Sequence, residues 1–106
     1  MSTTFDDREH AFEAKFAHDA EMLFRAEARR NRLVGIWAGE MLGKKGDDME
    51  AFIRSVMKAD FKVAGDEDVL DMLAQELDGM ATREEIRAKL DACMVQAKTQ
   101  VMNEAG

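Results

Sequence analysis

Two histidines near the N-terminus are each followed by an acid, and this spacing is the first candidate for chemistry. His10 precedes Glu13, and His18 precedes Glu21, by three residues in each case. Helical bundles that hold two metal ions use a Glu-x-x-His motif on each of two helices, with a further Glu from each of the others. Here the order is reversed, and both pairs fall on one stretch of chain. We therefore expect no metal site and no cofactor.

Motifs for catalysis are also missing from the sequence. Gly43-Lys44-Lys45-Gly46 lacks the spacing of a phosphate-binding P-loop, and Ser55 has no histidine near it in sequence. The single cysteine, Cys93, has apolar residues before and after it at helical spacing, which predicts a buried, unreactive thiol. We expect no catalytic residue and no enzymatic activity.

Phenylalanines near the N-terminus form the clearest functional pattern. An ideal helix advances about 100° per residue, so Phe5, Phe12 and Phe16 fall on one side of a helix. Such side chains can anchor a helix in an apolar groove of a partner, or they can pack on the chain's own bundle. The spacing leaves both interpretations open. In the first, partner choice would depend on charges at the rim of the groove, namely Asp6, Asp7, Arg8, Glu9, Glu13 and Lys15.

Composition predicts an all-α intracellular domain. The chain has 106 residues and no proline, with 35% of residues charged and 46% hydrophobic. The formal net charge of -7 opposes nucleic-acid binding, which requires neutralisation of phosphates. The longest apolar stretch, Leu33 to Gly43, contains Glu40 and is too short to span a bilayer. The N-terminus lacks the apolar core of a signal peptide. We expect neither nucleic-acid binding nor membrane insertion.

One basic cluster interrupts this acidic chain. Arg29-Arg30-Asn31-Arg32 is too short to reverse the charge balance. We expect it to form a solvated helix turn or a contact for an acidic partner surface.

The elements that must position these residues are helices. The first is predicted from Phe5, after a Thr4 cap, to about Leu42. It divides into an arm over residues 1–20 with a thin apolar line and a half that is apolar nearly all round. We expect that half to be buried, centred on Trp37 and extending to Met41. Residues 21–106 form the predicted four-helix bundle.

Start and stop signals divide the bundle. Gly43 is a C′ glycine, Asp47 can cap a second helix, and Gly79 ends a third. A capping box at Thr82 opens a fourth. The residues predicted to face the core lie at helical spacing and are Met49, Phe52, Ile53, Val56, Met57, Phe61, Val69, Leu70, Leu73, Leu77, Ile86, Leu90, Cys93, Met94, Ala97 and Val101.

Two glycines on the first helix are one turn apart. Gly35 and Gly39 would let a neighbouring helix approach closely. In a membrane this spacing suggests dimerisation. In a chain of this composition we expect close packing within the bundle instead.

Five blocks of the sequence are distinctive beyond their periodicity. They are Thr4-Phe5-Asp6-Asp7-Arg8-Glu9, Phe12-Glu13-Ala14-Lys15-Phe16-Ala17-His18-Asp19, Ala28-Arg29-Arg30-Asn31, Lys58-Ala59-Asp60-Phe61 and Gly65-Asp66-Glu67-Asp68-Val69. Together they resemble the zeta inhibitor subunit of the alphaproteobacterial ATP synthase. The similarity extends along essentially the whole chain, with the C-terminal helix the least distinctive part.

The resemblance implies a four-helix bundle with an N-terminal inhibitory arm. In that family the arm enters a catalytic interface of the ATPase head and blocks rotation in the direction of hydrolysis, while synthesis continues. The role is carried over to the matching residues, which are Phe5, Asp6, Asp7, Arg8, Glu9, Phe12, Glu13, Lys15, Phe16 and His18. It also implies a cytoplasmic regulator associated with the membrane-bound synthase and monomeric when free.

The competing interpretation is a structural or assembly protein without inhibitory activity. Such a protein would bind through the surface of its bundle and keep the arm packed on itself. The mobility of the arm in the free protein distinguishes the two.

Overall fold

The chain folds as an all-α four-helix bundle, as the composition predicts. A computed structural model describes residues 20–60 and 67–105, and these contain four helices and no strand. The helices are α1 (Ala20–Met41), α2 (Gly46–Asp60), α3 (Glu67–Glu76) and α4 (Arg83–Ala105). The predicted start of the first helix at Phe5 and the predicted core residue Phe61 lie outside the described residues.

Neighbouring helices run antiparallel. Gly35 faces Ile53 and Gly39 faces Met49, so α2 returns along α1. Arg29 binds Glu104 near one end of α4, and Lys89 lies over the ring of Trp37 farther along, so α4 also opposes α1. α3 opposes α4 in turn. Short connections between helices favour this up-down arrangement.

The main core lies where all four helices meet. Predicted apolar faces supply it, and the expected burial is confirmed for most of their residues. Two predicted core residues of α2, Met49 and Met57, and one of α4, Met94, are only partly buried. The buried members of the main cluster are Val34, Ala38, Phe52, Val56, Val69, Leu70, Leu73, Leu77, Ile86, Leu90 and Cys93.

Glycines end α1 and the turn after α3, as predicted. Gly43 has a φ of 75° and Gly79 a φ of 81°, a region that glycine enters without a steric penalty. After α1, the Gly43 N–H donates to the Glu40 carbonyl at 3.1 Å and the Lys44 N–H to the Gly39 carbonyl at 2.9 Å. These are the two hydrogen bonds of the Schellman motif.

The capping box before α4 forms as predicted. The Thr82 hydroxyl accepts from the Glu85 N–H at 3.1 Å, and the Glu85 carboxylate accepts from the Thr82 N–H at 2.9 Å. The predicted cap at Asp47 is wrong, because α2 already begins at Gly46 and Asp47 lies in its first turn. The Lys45 carbonyl accepts from the N–H groups of Asp48 and Met49 there.

The second half of α1 is buried on one side only, which corrects the expectation of burial all round. Val34 and Ala38 are completely buried, but Trp37 is only partly buried and Met41 is 38% exposed. α1 contacts α2 on one side and α4 on another, so its outer side stays open to solvent. The centre of its buried face is therefore Val34 and Ala38, not Trp37.

The glycine pair on α1 admits α2, as expected for packing within the bundle. A Cβ on Gly35 would lie 3.3 Å from Ile53 Cγ1. A Cβ on Gly39 would overlap the Met49 sulfur and lie 2.9 Å from Met49 Cε. Both positions are filled from within the same chain.

Candidate partner-binding site

The predicted partner-binding residues, from Phe5 to His18, all lie outside the described residues. The structure therefore leaves their arrangement as a prediction. What it does describe is the part of α1 that follows them in the chain, from Ala20 onward, and the side chains that hold it.

The basic cluster on α1 is solvated only in part, which corrects the sequence-based expectation for its two central residues. Arg30 and Asn31 are each only 2% exposed. Arg30 donates to Asn31 Oδ1 from Nε at 3.0 Å and from Nη2 at 2.8 Å. A buried charge is tolerated only when polar partners replace its water, and the Asn31 carbonyl supplies one such partner.

The other two arginines of the cluster connect α1 to its neighbours. Arg29 Nη1 lies 2.5 Å from Glu104 Oε2, and Nη2 lies 2.8 Å from Glu104 Oε1. Arg29 Nη1 also donates to Gln100 Oε1 at 3.2 Å. Arg32 reaches Glu50 of α2 at 3.3 Å. Arg29 and Arg32 thus make contacts within the chain, although the Arg32 side chain is 49% exposed. A contact of this cluster with an acidic partner surface stays a prediction.

Hydrogen bonding within the Arg29–Glu104 pair changes the acidity of both groups. It lowers the pKa of the Glu104 carboxyl below its ordinary value, with a smaller contribution from the positive charges of Arg29 and Arg25. The same hydrogen bond raises the pKa of Arg29. Both shifts favour the ionised forms of the pair.

A small apolar cluster lies beside this ion pair. Met22, Ala26 and Val101 are buried together, with Leu23 and Met102 partly buried against them. Among residues 20–60 and 67–105, the members of this cluster come from α1 and α4. The beginning of α1 is therefore held to the end of α4 by apolar packing and by a two-point ion pair.

Cys93 is buried and carries a neutral thiol, as predicted. It is 4% exposed and belongs to the main core. Burial raises the pKa of the thiol, although the positive charges of Lys89 and Arg30 oppose the shift. A thiol held neutral in this way is a poor nucleophile.

Two further kinds of site are not found in the part of the chain that the structure describes. Residues 20–60 and 67–105 contain no group of three or more His, Cys, Asp or Glu side chains placed to hold a metal ion. No helix among them is long and apolar enough to cross a membrane.

Comparison with known proteins identifies the family. The family model of the ATPase inhibitor subunit zeta matches residues 1–100. The chain belongs to this family. The match spans the predicted arm as well as the bundle, in agreement with the resemblance seen in the sequence. No curated protein matches the chain.

A solved structure supports the fold of this zeta-family chain. A protein whose structure was determined in solution by NMR is 49% identical to it and superimposes with a TM-score of 0.71. The alignment covers 78% of this chain and 98% of that one. At this level of identity and similarity the bundle is a shared fold.

Sequence reasoning missed the contacts of the Arg29 to Arg32 turn. One signal was present for Arg30, because it lies one turn from both Ala26 and Val34 and shares their buried side. Nothing in the sequence paired Arg29 with Glu104, since the two are far apart along the chain and each is ordinary on a helix surface.

Proposed function

We propose that this zeta-family chain inhibits ATP hydrolysis by the bacterial ATP synthase through its N-terminal arm. The arm, residues 1–20, enters a catalytic interface of the ATPase head as a helix, and the bundle, residues 21–106, stays outside. Rotation in the hydrolytic direction is then blocked. The protein acts on the cytoplasmic side of the membrane-bound synthase.

The observation that carries the proposal is the extent of the family match. It runs over residues 1–100 and so includes the phenylalanine line at its start. A family defined as ATPase inhibitors whose model includes this stretch supports a role for the stretch in inhibition.

Physical chemistry favours helix-in-groove binding for this stretch. In a helix, Phe5, Phe12 and Phe16 would present large apolar side chains on one side, and aromatic anchors of this kind dominate the energetics of such interfaces. Acids and bases between them supply rim contacts that select the orientation and speed up association. Among the described residues, the main core has buried members from all four helices, between Val34 and Cys93.

The first test is ATP hydrolysis by a cognate synthase head with and without the full chain. Inhibition by the full chain, and none by a chain that lacks the residues before Ala20, is the expected result. Circular dichroism of the shortened chain must show a folded bundle. If the shortened chain still inhibits, the arm is not the inhibitory segment.

A second test addresses the anchors. Phe5, Phe12 and Phe16 are changed together to Ala, and inhibition is expected to be lost with helicity retained. A matched control changes three exposed apolar side chains of the bundle to Ala, namely Met41, Met80 and Val95. Equal loss of inhibition by the two triple variants would show that the phenylalanines have no special role.

A further inference from the structure

The beginning of α1 has its own attachment, separate from the main core. Met22 and Ala26 pack on Val101, and the buried members of this cluster that the structure describes come from α1 and α4. One turn farther along α1, Arg29 binds Glu104 and Gln100. We call these six residues the base clamp, namely Met22, Ala26, Arg29, Gln100, Val101 and Glu104.

The ion pair of the base clamp fixes direction as well as distance. Two parallel N–H···O bonds join the Arg29 guanidinium to the Glu104 carboxylate, at 2.5 Å and 2.8 Å. A planar, two-point pair of this kind constrains orientation in a way that a single contact does not. Gln100, one turn earlier on α4, adds a third acceptor at 3.2 Å. α1 is thereby held against rotation about its own axis.

The base clamp lies next to the predicted inhibitory arm along the chain. It holds the first three turns of the described part of α1, directly after residues 5–18. We propose that the base clamp positions the inhibitory arm, so that Arg29 and Glu104 are positioning residues for inhibition although neither lies in the arm. This inference rests on the proposed function.

The physical reason is the cost of ordering on binding. A helix that enters a groove must have a defined direction and a defined face, and freedom lost on binding weakens the affinity. A base already fixed on α4 removes part of that cost. Loosening the base should therefore weaken inhibition even when every arm residue is intact.

A second group of ion pairs provides a matched control. At the junction of α3 and α4, Arg83 binds Asp71 at 2.6 Å and Glu67 at 3.3 Å. These groups are exposed, as Glu104 is, and lie on α3 and at the start of α4, remote from the base clamp. Exposed pairs contribute little to stability, so loss of either arginine should affect the melting temperature similarly.

The experiment compares full-length Arg29→Gln with full-length Arg83→Gln. The concentration for half-maximal inhibition of a cognate synthase head is expected to rise about fivefold for Arg29→Gln, which is a loss of about 1 kcal/mol of prior ordering. Arg83→Gln is expected to inhibit like the wild type. The double charge reversal Arg29→Glu with Glu104→Arg should restore inhibition that Arg29→Glu alone loses.

The results that would overturn the positioning role differ from the result that would overturn the proposed function. Inhibition by Arg29→Gln equal to the wild type, or lost equally in Arg29→Gln and Arg83→Gln, would overturn the positioning role while leaving the proposed function intact. A wild-type chain without inhibition would overturn the proposed function and the positioning role together. Hydrogen exchange gives an independent readout, because Arg29→Gln should speed exchange at amides near Met22 and Ala26 and leave those near Leu73 unchanged.

Discussion

Replacement of Gly39 by Ala should change the stability of the bundle with a sign that depends on Met49. In a helix interior, Gly→Ala by itself stabilises by about 1 kcal/mol, because Ala loses less backbone entropy on folding. Here the new Cβ would overlap the Met49 sulfur and lie 2.9 Å from Met49 Cε. The thioether is flexible and partly buried, so it can swing aside, at a cost of its packing on α1.

The magnitude follows from these two opposing effects. Forcing extra volume into a packed contact costs about 1–3 kcal/mol, so a displacement of Met49 at about 2 kcal/mol outweighs the gain in helix propensity. Gly39→Ala should lower the free energy of unfolding by about 1 kcal/mol. In a Met49→Ala background the nearest remaining atom is Phe52 Cδ2 at 3.4 Å, an ordinary contact. There Gly39→Ala should stabilise by about 1 kcal/mol.

Urea unfolding of the wild type, Gly39→Ala, Met49→Ala and the double variant measures how far the effect of Gly39→Ala depends on Met49. Far-ultraviolet circular dichroism and Trp37 fluorescence should give coincident transitions, as expected for a two-state domain of this size. Gly35→Ala is the control, because its Cβ would meet Ile53 at 3.3 Å and would not be relieved by Met49→Ala. If Gly39→Ala stabilises the wild type as much as it stabilises Met49→Ala, the close approach of α2 is not what requires glycine there.

Three further predictions concern the cap, the thiol and the ion pair. Thr82→Ala removes the hydroxyl that caps the Glu85 N–H and should lower the free energy of unfolding in urea by about 1 kcal/mol. Cys93, buried with a raised pKa, should react with a thiol reagent only after unfolding, as read from absorbance with and without denaturant. Because the pKa of Glu104 is lowered on folding, its contribution to stability is present above its ordinary pKa of 4.5 and disappears as the pH falls below it. The difference in melting temperature between the wild type and Glu104→Gln should therefore stay constant from about pH 6 to 8 and vanish in acid; a difference that changes near pH 7 would contradict this assignment.

Helix boundaries were predictable where a local rule sets them. Gly43 and Gly79 need a positive φ, and Thr82 with Glu85 satisfies free N–H groups within four residues, so each signal is complete in the sequence. The prediction for Asp47 was wrong because α2 begins one residue earlier, where the backbone carbonyl of Lys45 accepts the N–H groups of Asp48 and Met49. Any residue type can supply a main-chain carbonyl as the acceptor, so the sequence does not reveal where one replaces a capping side chain.

Apart from the burial of Arg30, the contacts of the turn from Arg29 to Arg32 could not be predicted, for a different reason. Successive residues point about 100° apart on a helix, so these four side chains do not share one environment. Arg29 reaches α4, Arg32 reaches α2, and Arg30 and Asn31 lie inside the bundle. Residues of like charge that follow one another in sequence therefore need not share a role. An interpretation from charge patterning treats such a run as one surface, and so it misses these separate contacts. The base clamp belongs to the same class of feature, since its two halves come from opposite ends of the described chain and only the antiparallel pairing of α1 and α4 brings them together.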